Sequence, residues 1–340
     1  MFNHVRARPR ALLMALLAAI LALSVIPVGP AAAAPGADDE GGTPQLRASL
    51  DTVNRAFIDA QTKLDNSRKR QAELAERATT VDAEVTRLRA VTDEIVGAVY
   101  RSGGLRTASA LLGSASPDTL LDKATTMNLL AVRSDRLLRE MTRLQTEVRR
   151  NREAIDAEVA SQQQQLDIMA KQKQQAEAAL RAAGGGPVSS GVPATNSVTA
   201  PAVPRRADGS LPAQSCSVND PTTNGCITPR TLNAMQQAKA AGFTRFVSCH
   251  RSGGSGEHPK GRACDFASDV GGFGGVAGGA SRTYGNNLAA YFVANAKRLG
   301  VLYVIWFKQI WSPALGWHAY RRGNGDPSSD HTNHVHLSML

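Results

Sequence analysis

The sequence predicts a multidomain protein in which a long α-helical coiled-coil hairpin is followed by a small α+β domain. Three observations support this fold class. Apolar residues recur at alternating spacings of three and four over two long stretches, which is typical of coiled-coil seams. Aromatic residues make up only 5% of the 340 residues, which excludes a single all-β protein. All four cysteines lie in the C-terminal 125 residues, and five of the seven histidines lie in the last 84.

The N-terminus has the features of a secretory signal. Three arginines precede an apolar run of 16 residues, Ala11–Ile26, and a small-residue cleavage site ends near Ala34. The run is shorter than the ~20 residues that span a bilayer as a helix. We therefore assign 1–34 as a signal peptide and 35–44 as a disordered acidic segment, with an uncleaved membrane anchor as the alternative. The expected location is secreted, either extracellular or associated with the cell wall.

Residues 45–183 are predicted to form the coiled coil. One seam runs from Leu46 to Val99, and a second runs from Met127 to Met169. Between them, Ser116 is a suitable helix cap and Pro117 a suitable first helical residue. A chain reversal at 102–116 would let each seam bury the other, so we predict an antiparallel hairpin. A parallel coiled-coil dimer is the alternative.

A Pro-, Gly-, Ser- and Thr-rich segment, 184–213, is predicted to be a flexible linker. It leads into an α+β domain at 214–340, in which strand-like runs include 301–307 and 335–339. Export would place the cysteines in an oxidising compartment, so two disulfides are expected. Of the three possible pairings we favour Cys216 with Cys226 and Cys249 with Cys264.

The histidines and one aspartate of this domain suggest a metal site. His258 and Asp265 are seven residues apart across a glycine-containing turn. His334 and His336 flank a valine, so both imidazoles would lie on one face of a strand. His258, Asp265 and one of these two histidines would supply nitrogen, oxygen and nitrogen ligands. Such a set leaves a fourth position open, as catalytic zinc sites do.

Three motifs in order give this domain a family resemblance. They are Ser248-Cys-His-Arg-Ser252, the pattern H-x-x-G-x-A-x-D at 258–265, and His334-Val-His336. The domain resembles the metallopeptidases that include D-alanyl-D-alanine carboxypeptidases, murein endopeptidases and the hedgehog signalling domain. The resemblance implies a zinc-peptidase-like fold over about 226–340 and one zinc ion. It also implies His258, Asp265 and His336 as metal ligands, with Arg251 and Ser252 near the substrate carboxylate.

At the position of the catalytic base, this sequence differs from part of that family. Many of the carboxypeptidases have a glutamate three residues before the last ligand, where this chain has Asn333. The endopeptidases instead carry histidines five and two residues before it, matching His331 and His334. The resemblance implies His334 as base or oxyanion support, His331 as its assistant, and Asp330 as the reserve candidate.

Part of the predicted coiled coil also resembles a segment of known proteins, and this resemblance suggests partners for the chain. The segment 111–122 resembles the hairpin elbow of coiled coils in secreted actinobacterial and firmicute peptidoglycan hydrolases. It implies that the coiled coil restrains the hydrolase or docks it to a membrane division complex, while a plain spacer is the alternative.

Two functions follow from these features. The first is a secreted zinc peptidase, either a carboxypeptidase or an endopeptidase, acting on the peptides of peptidoglycan. Its domain from residue 205 onwards carries a net charge of +7, which suits an anionic polymer. The second is a non-catalytic scaffold that binds the cell wall and recruits division or hydrolase partners. No nucleic-acid recognition motif is present, so nucleic acid is not an expected partner.

Overall fold

A computed structural model describes residues 43–102, 109, 113, 116–188, 191–192, 198–321 and 323–340. It confirms the predicted fold class, because two long helices pair as a hairpin and a small α+β domain follows. The predicted signal peptide, nearly all of the acidic segment and most of the predicted chain reversal at 102–116 lie outside the described residues. In the part of the chain that is described, no helix is long and apolar enough to span a membrane.

The coiled coil consists of helix α1, Pro44–Ser102, and helix α2, Pro117–Ala182. The start of α2 follows the sequence prediction. The Ser116 side chain accepts a hydrogen bond from the backbone N–H of Thr119, and the Thr119 side chain bonds back to the backbone of Ser116. This capping box and Pro117 in the first turn satisfy orphan donors that would otherwise weaken the helix end.

Contacts between the helices show that they run antiparallel. Arg70 Nε lies 2.7 Å from Glu158. Arg77, seven residues later in α1, lies 2.7 Å from Glu147, which comes earlier in α2. Between the apolar seam positions of α1 lies the polar Ser67, whose hydroxyl donates a hydrogen bond of 2.6 Å to Glu158. Apolar residues form the seam further along: Val81, Val85 and Leu88 with Leu144.

The C-terminal domain is built on a six-stranded antiparallel sheet with the strand order β3-β4-β8-β5-β6-β7. Its helices are α3, Pro229–Ala240; α4, Gly279–Ala294; and α5, Ala296–Leu299. The sheet strands are β3, Val247–Ser248; β4, Ala263–Ala267; β5, Val301–Trp306; β6, Gln309–Ser312; β7, Gly316–Ala319; and β8, His334–Met339. A separate two-stranded hairpin is formed by β1, Val218–Asn219, and β2, Cys226–Ile227.

The two faces of the sheet have different environments. Val335, Leu337 and Met339 point into the main core, where they pack with helix residues such as Phe292. The alternate residues of β8, including His336, point to the opposite face. His336 is paired with Asp265 on β4 and with Ile305 on β5, so these side chains share that face. We call it the histidine face.

The end of the coiled coil packs against the histidine face. One buried apolar cluster joins the first turns of α1 and the last turns of α2 to β5, β6 and the residue after β7. Its members are Leu46, Leu50, Val53, Ala176, Leu180, Leu302, Tyr303, Ile305, Ile310 and Tyr320. A polar contact adds to this junction, since Arg47 donates a hydrogen bond of 2.6 Å to Ser255. The coiled coil therefore lies on the side of the sheet that carries His336.

Described parts of the predicted linker are in contact with the domain. The backbone N–H of Ala319 donates a 2.8 Å hydrogen bond to the oxygen of Gly186. Further along, Ala200 is 2% exposed and its N–H donates to Asn295 Oδ1 at 2.8 Å. The sequence did not show these contacts because each depends on a partner more than 90 residues away.

Candidate metal centre

Two histidines and one aspartate converge on the histidine face. Asp265 and His336 are directly opposite on β4 and β8, and Asp265 Oδ1 lies 2.9 Å from His336 Nδ1. His258 begins a short 3₁₀ turn, His258–Lys260, and Gly261 then adopts a left-handed φ of 67° that leads the chain into β4. His258 Nε2 lies 3.2 Å from both Asp265 Oδ2 and His336 Nδ1. The structure thus brings the three predicted metal ligands together, with potential ligand atoms within 4.8 Å of one another.

Hydrogen bonds orient both imidazoles of this group. His258 Nδ1 contacts the backbone oxygen of Cys249, and His336 Nε2 lies 2.8 Å from Ser338 Oγ. If both outer nitrogens carry the proton, the inner nitrogens present lone pairs to the space shared with Asp265. Metal-binding histidines in proteins are held by outer contacts of this kind. Two nitrogens, one carboxylate and these outer partners fit a divalent metal, and zinc is among those that accept this donor set.

His331 and His334 lie beside the three potential ligands. Their ring centres are 4.9 Å apart, and His334 Nε2 lies 3.4 Å from Asp265 Oδ1. His334 Nδ1 lies 2.7 Å from Asn333 Oδ1, which assigns the proton to Nδ1 because an amide oxygen only accepts. The Nε2 atoms of both histidines are buried and have no hydrogen-bond partner among the described residues. Each can therefore accept a proton or bind a polar group that enters the site.

Burial controls the charges in this cluster. It is the main reason that the pKa of His334 falls to about 4 and that the pKa of His331 is also lowered. His334 is therefore neutral at pH 7, and its contact with Asp265 is not an ion pair there. Burial opposes ionisation of Asp265, but the nearby His258, His334 and Arg251 outweigh it and hold the pKa of Asp265 well below its usual value.

The remaining predicted site residues lie at different positions around the cluster. Arg251 Nη1 donates a 2.6 Å hydrogen bond to Asp265 Oδ2, and its Nε has no partner among the described residues. Ser252 is exposed. The carboxylate of Asp330 forms an ion pair of 2.7 Å with Lys308. The roles predicted for Arg251, Ser252 and Asp330 remain predictions.

Two groups that support the potential ligands were not predicted from the sequence. Ser338 could have been found, because it lies two residues after His336 and so on the same face of β8. The Cys249 oxygen could not have been found in this way, since a backbone group that bonds to a distant side chain leaves no trace in the residue type.

The structure contains both predicted disulfides, Cys216–Cys226 and Cys249–Cys264. The second joins the segment before Arg251 to β4, so it fixes the carbonyl that contacts His258 next to the strand that carries Asp265. Two side chains of the β1–β2 loop also hold this segment. Thr222 Oγ1 accepts from the N–H of Cys249 at 3.0 Å, and Asp220 Oδ2 accepts from the N–H of His250 at 2.7 Å.

Replacing Asp220 by alanine is expected to lower the free energy of unfolding by about 1–3 kcal/mol, because buried donors lose their acceptor. Burial opposes ionisation of Asp220, but hydrogen bonds from Thr223, His250 and Thr222 lower its pKa below 3.8. The ionised Asp220 carboxylate contributes this stability at pH values above its pKa in the unfolded chain. The contribution is lost as the pH falls through the pKa of Asp220 in the folded protein. Urea unfolding should thus show a smaller difference between wild type and variant at pH 3 than at pH 7. An equal difference at both pH values would contradict an ionised Asp220.

Comparison with known proteins finds a family match in the C-terminal domain. A family model described as VldE, C-terminal domain, matches residues 223–335. No curated protein and no solved structure matches the chain. The matched region includes His258, Asp265, His331 and His334, ends one residue before His336, and leaves out the coiled coil. It is about one third of the chain.

Proposed function

We propose that the chain is a secreted, zinc-dependent peptidase that hydrolyses peptide bonds of peptidoglycan and is restrained by its coiled coil. The observation that carries this proposal is the convergence of His258, Asp265 and His336, with both imidazoles oriented by outer hydrogen bonds. Two disulfides support an extracellular environment. The peptidase activity and the wall substrate rest on the motif resemblance and on the basic charge of the domain.

In this proposal His258 Nε2, Asp265 and His336 Nδ1 hold the zinc ion. Bound zinc would polarise a carbonyl group and lower the pKa of a coordinated water toward ~7. His334 Nε2 would accept the proton of the attacking water and pass it to the leaving amine. Asn333 keeps the opposite nitrogen of this ring protonated. Arg251 Nε, which has no partner among the described residues, would bind a substrate carboxylate.

The proposed restraint of the peptidase by its coiled coil is supported by the burial of the site. His258, Asp265, His334 and His336 are 0% exposed and His331 is 1% exposed. A peptide cannot reach groups buried to this degree. The coiled coil packs on the same face of the sheet, and Tyr303 of that junction stacks on the His336 ring at 5.7 Å. Access would therefore require the coiled coil to move away from the histidine face.

A non-catalytic wall-binding scaffold is the second candidate, and Asn333 favours it. The side chain that stands at the glutamate position of many related carboxypeptidases is bonded to His334, Gly274 and Ser328. Such an amide supports neighbouring groups and cannot exchange a proton at neutral pH. In this alternative the zinc-bearing domain binds wall peptide and the coiled coil recruits a partner, such as a division complex.

The first test is the zinc content of the purified protein together with digestion of peptidoglycan. We expect one equivalent of zinc in wild type, less than a tenth of that in Asp265→Ala, and the wild-type value in Asp269→Ala, whose side chain is exposed. We expect release of new peptide amino termini to disappear in Asp265→Ala.

The same assay should be run with the coiled coil displaced by Leu50→Asp and Leu180→Asp, so that restraint is not mistaken for inactivity. Zinc without release in that background would favour the scaffold. Absence of zinc from wild type would refute the metal site.

A further inference from the structure

A cavity of about 310 Å³ lies at the junction between the coiled coil and the C-terminal domain, and it is rich in arginine. Its lining includes Arg55 of α1, Arg205 and Arg206 of the segment before β1, Arg230 of α3, and Arg262 before β4. The one acidic side chain in this lining is Asp59, which forms an ion pair of 2.8 Å with Lys63. The cavity is separate from the histidine cluster, whose ligands do not line it.

Two of these arginines donate their hydrogen bonds to main-chain oxygens and, among the described residues, to no side-chain carboxylate. Arg230 is 3% exposed, and its Nη atoms donate to the backbone oxygens of Leu340 and Pro212. Its Nε is buried without a hydrogen-bond partner among the described residues. Arg205 likewise donates to two backbone oxygens, those of Gly209 at 2.8 Å and Lys297 at 2.6 Å.

The positive charges that line this cavity are electrostatically unfavourable. Arg55 and Arg262 do have carboxylate partners, Asp51 and Glu257. Burial first, and then repulsion from Arg55, Arg205 and Arg262, lowers the pKa of Arg230 to about 10. Arg230 also lies in the first turn of α3, where the helix dipole is positive. Burying cations close to one another is unfavourable. Five arginines and one aspartate line the cavity, so it has the electrostatic properties of an anion site.

We propose that this cavity binds a phosphate group, and that the bound phosphate holds the coiled coil against the C-terminal domain. A tetrahedral phosphate offers several acceptor oxygens, so it can bond to guanidinium groups that approach from different directions. Arg55 belongs to the coiled coil, whereas Arg205, Arg230 and Arg262 belong to the C-terminal part. One phosphate would therefore replace repulsion across the junction by attraction on both sides. The source is either free phosphate or the phosphodiester of a polymer or lipid headgroup.

Calorimetric titration of metal-free full-length protein tests the binding, because phosphate then cannot bind through a metal. The probes are inorganic phosphate and the soluble phosphodiester glycerophosphoglycerol, in buffers of matched ionic strength. We expect wild type to bind one equivalent of at least one probe. We expect Arg55→Gln with Arg205→Gln to weaken the affinity by about tenfold or more. The control Arg68→Gln, an exposed residue of α1 outside the cavity, should bind as wild type does.

Each outcome decides a part of the proposal. Preference for phosphate or for the diester identifies the source. Equal binding by wild type and the double variant would place the anion elsewhere and overturn the proposal, as would failure of both probes to bind wild type. Circular dichroism must show the same helix content in all variants.

Hydrogen exchange tests the effect on docking. Phosphate should increase the protection of backbone amides near Leu50 and Tyr303 in wild type and not in the double variant. Unchanged protection in phosphate-saturated wild type would refute the link between binding and docking. A further consequence, that phosphate slows hydrolysis, rests on the proposed function. Neither binding nor exchange depends on hydrolysis, so failure of the peptidase proposal would leave both measurements interpretable.

Discussion

Replacing Leu50 and Leu180 by aspartate is expected to increase the proposed hydrolysis of peptidoglycan by at least about tenfold, which corresponds to ~1.4 kcal/mol of docking free energy. Both leucines are nearly buried at the junction, with 3% and 1% of their surface exposed. Removing a buried leucine costs about 1.5–3 kcal/mol of burial free energy, and placing a carboxylate there adds a desolvation penalty. The docked state loses this energy, whereas the main core around Trp306 is on the other face of the sheet.

The control for this variant uses the same substitutions where leucine is already exposed. Leu129 and Leu138 of α2 are 71% and 61% exposed, so changing both to aspartate should leave the rate as in wild type. Zinc content and circular dichroism should be equal in both variants. Unchanged hydrolysis in the Leu50/Leu180 variant, with zinc and fold retained, would show that the coiled coil does not restrain the enzyme.

Removing the Cys249–Cys264 disulfide by alanine substitution is expected to lower the free energy of unfolding by about 3 kcal/mol, the usual value for a loop of this length. It should also weaken zinc binding by about 10–100-fold. The reason is that the Cys249 carbonyl orients His258, and loss of such an outer partner has effects of that size. Chemical denaturation and competition with a zinc indicator measure the two quantities separately.

The Cys216–Cys226 disulfide is the matched control, because the carbonyl that contacts His258 belongs to Cys249 and to neither of these two cysteines. Its removal is expected to lower stability by a comparable amount, since it closes a similar loop, and to leave zinc affinity within about threefold of wild type. If both double variants lose zinc equally, the loss reflects general loosening of the domain and not the contact between Cys249 and His258.

The helices of this protein are visible in the sequence because their signals are local and repeated. The seam of threes and fours extends through Val81, Val85 and Leu88, and Ser116 with Pro117 marks the start of α2. The same holds for β8, where alternation separates His336 from the core residue Leu337. Propensity and periodicity are sufficient for such elements, and they also predicted the one-sided placement of His334 and His336.

Features that join distant segments could not be predicted in this way. The strand β3 is only two residues long, Val247–Ser248, although the strand-like pattern of the sequence extends from 243 to 249. Its length is set by pairing with Asp265 and Phe266 and not by its own composition. The contact of Leu180 with the face of β5, and the meeting of Arg55 with Arg230 at one cavity, depend on how the coiled coil docks. No local pattern encodes that orientation.

The contact between Gly186 and Ala319 has a consequence for how the restraint would operate. Helix α2 ends at Ala182, only a few residues before this attachment to the domain. Even if the contact opens, the 18 residues from Ala183 to Ala200 reach at most about 60 Å. A detached coiled coil would then remain at an effective concentration in the millimolar range. An intrinsic docking affinity in the micromolar range would hold about 99.9% of molecules closed. A partner that opens the site must therefore compete with a coiled coil that stays tethered to the domain and does not diffuse away.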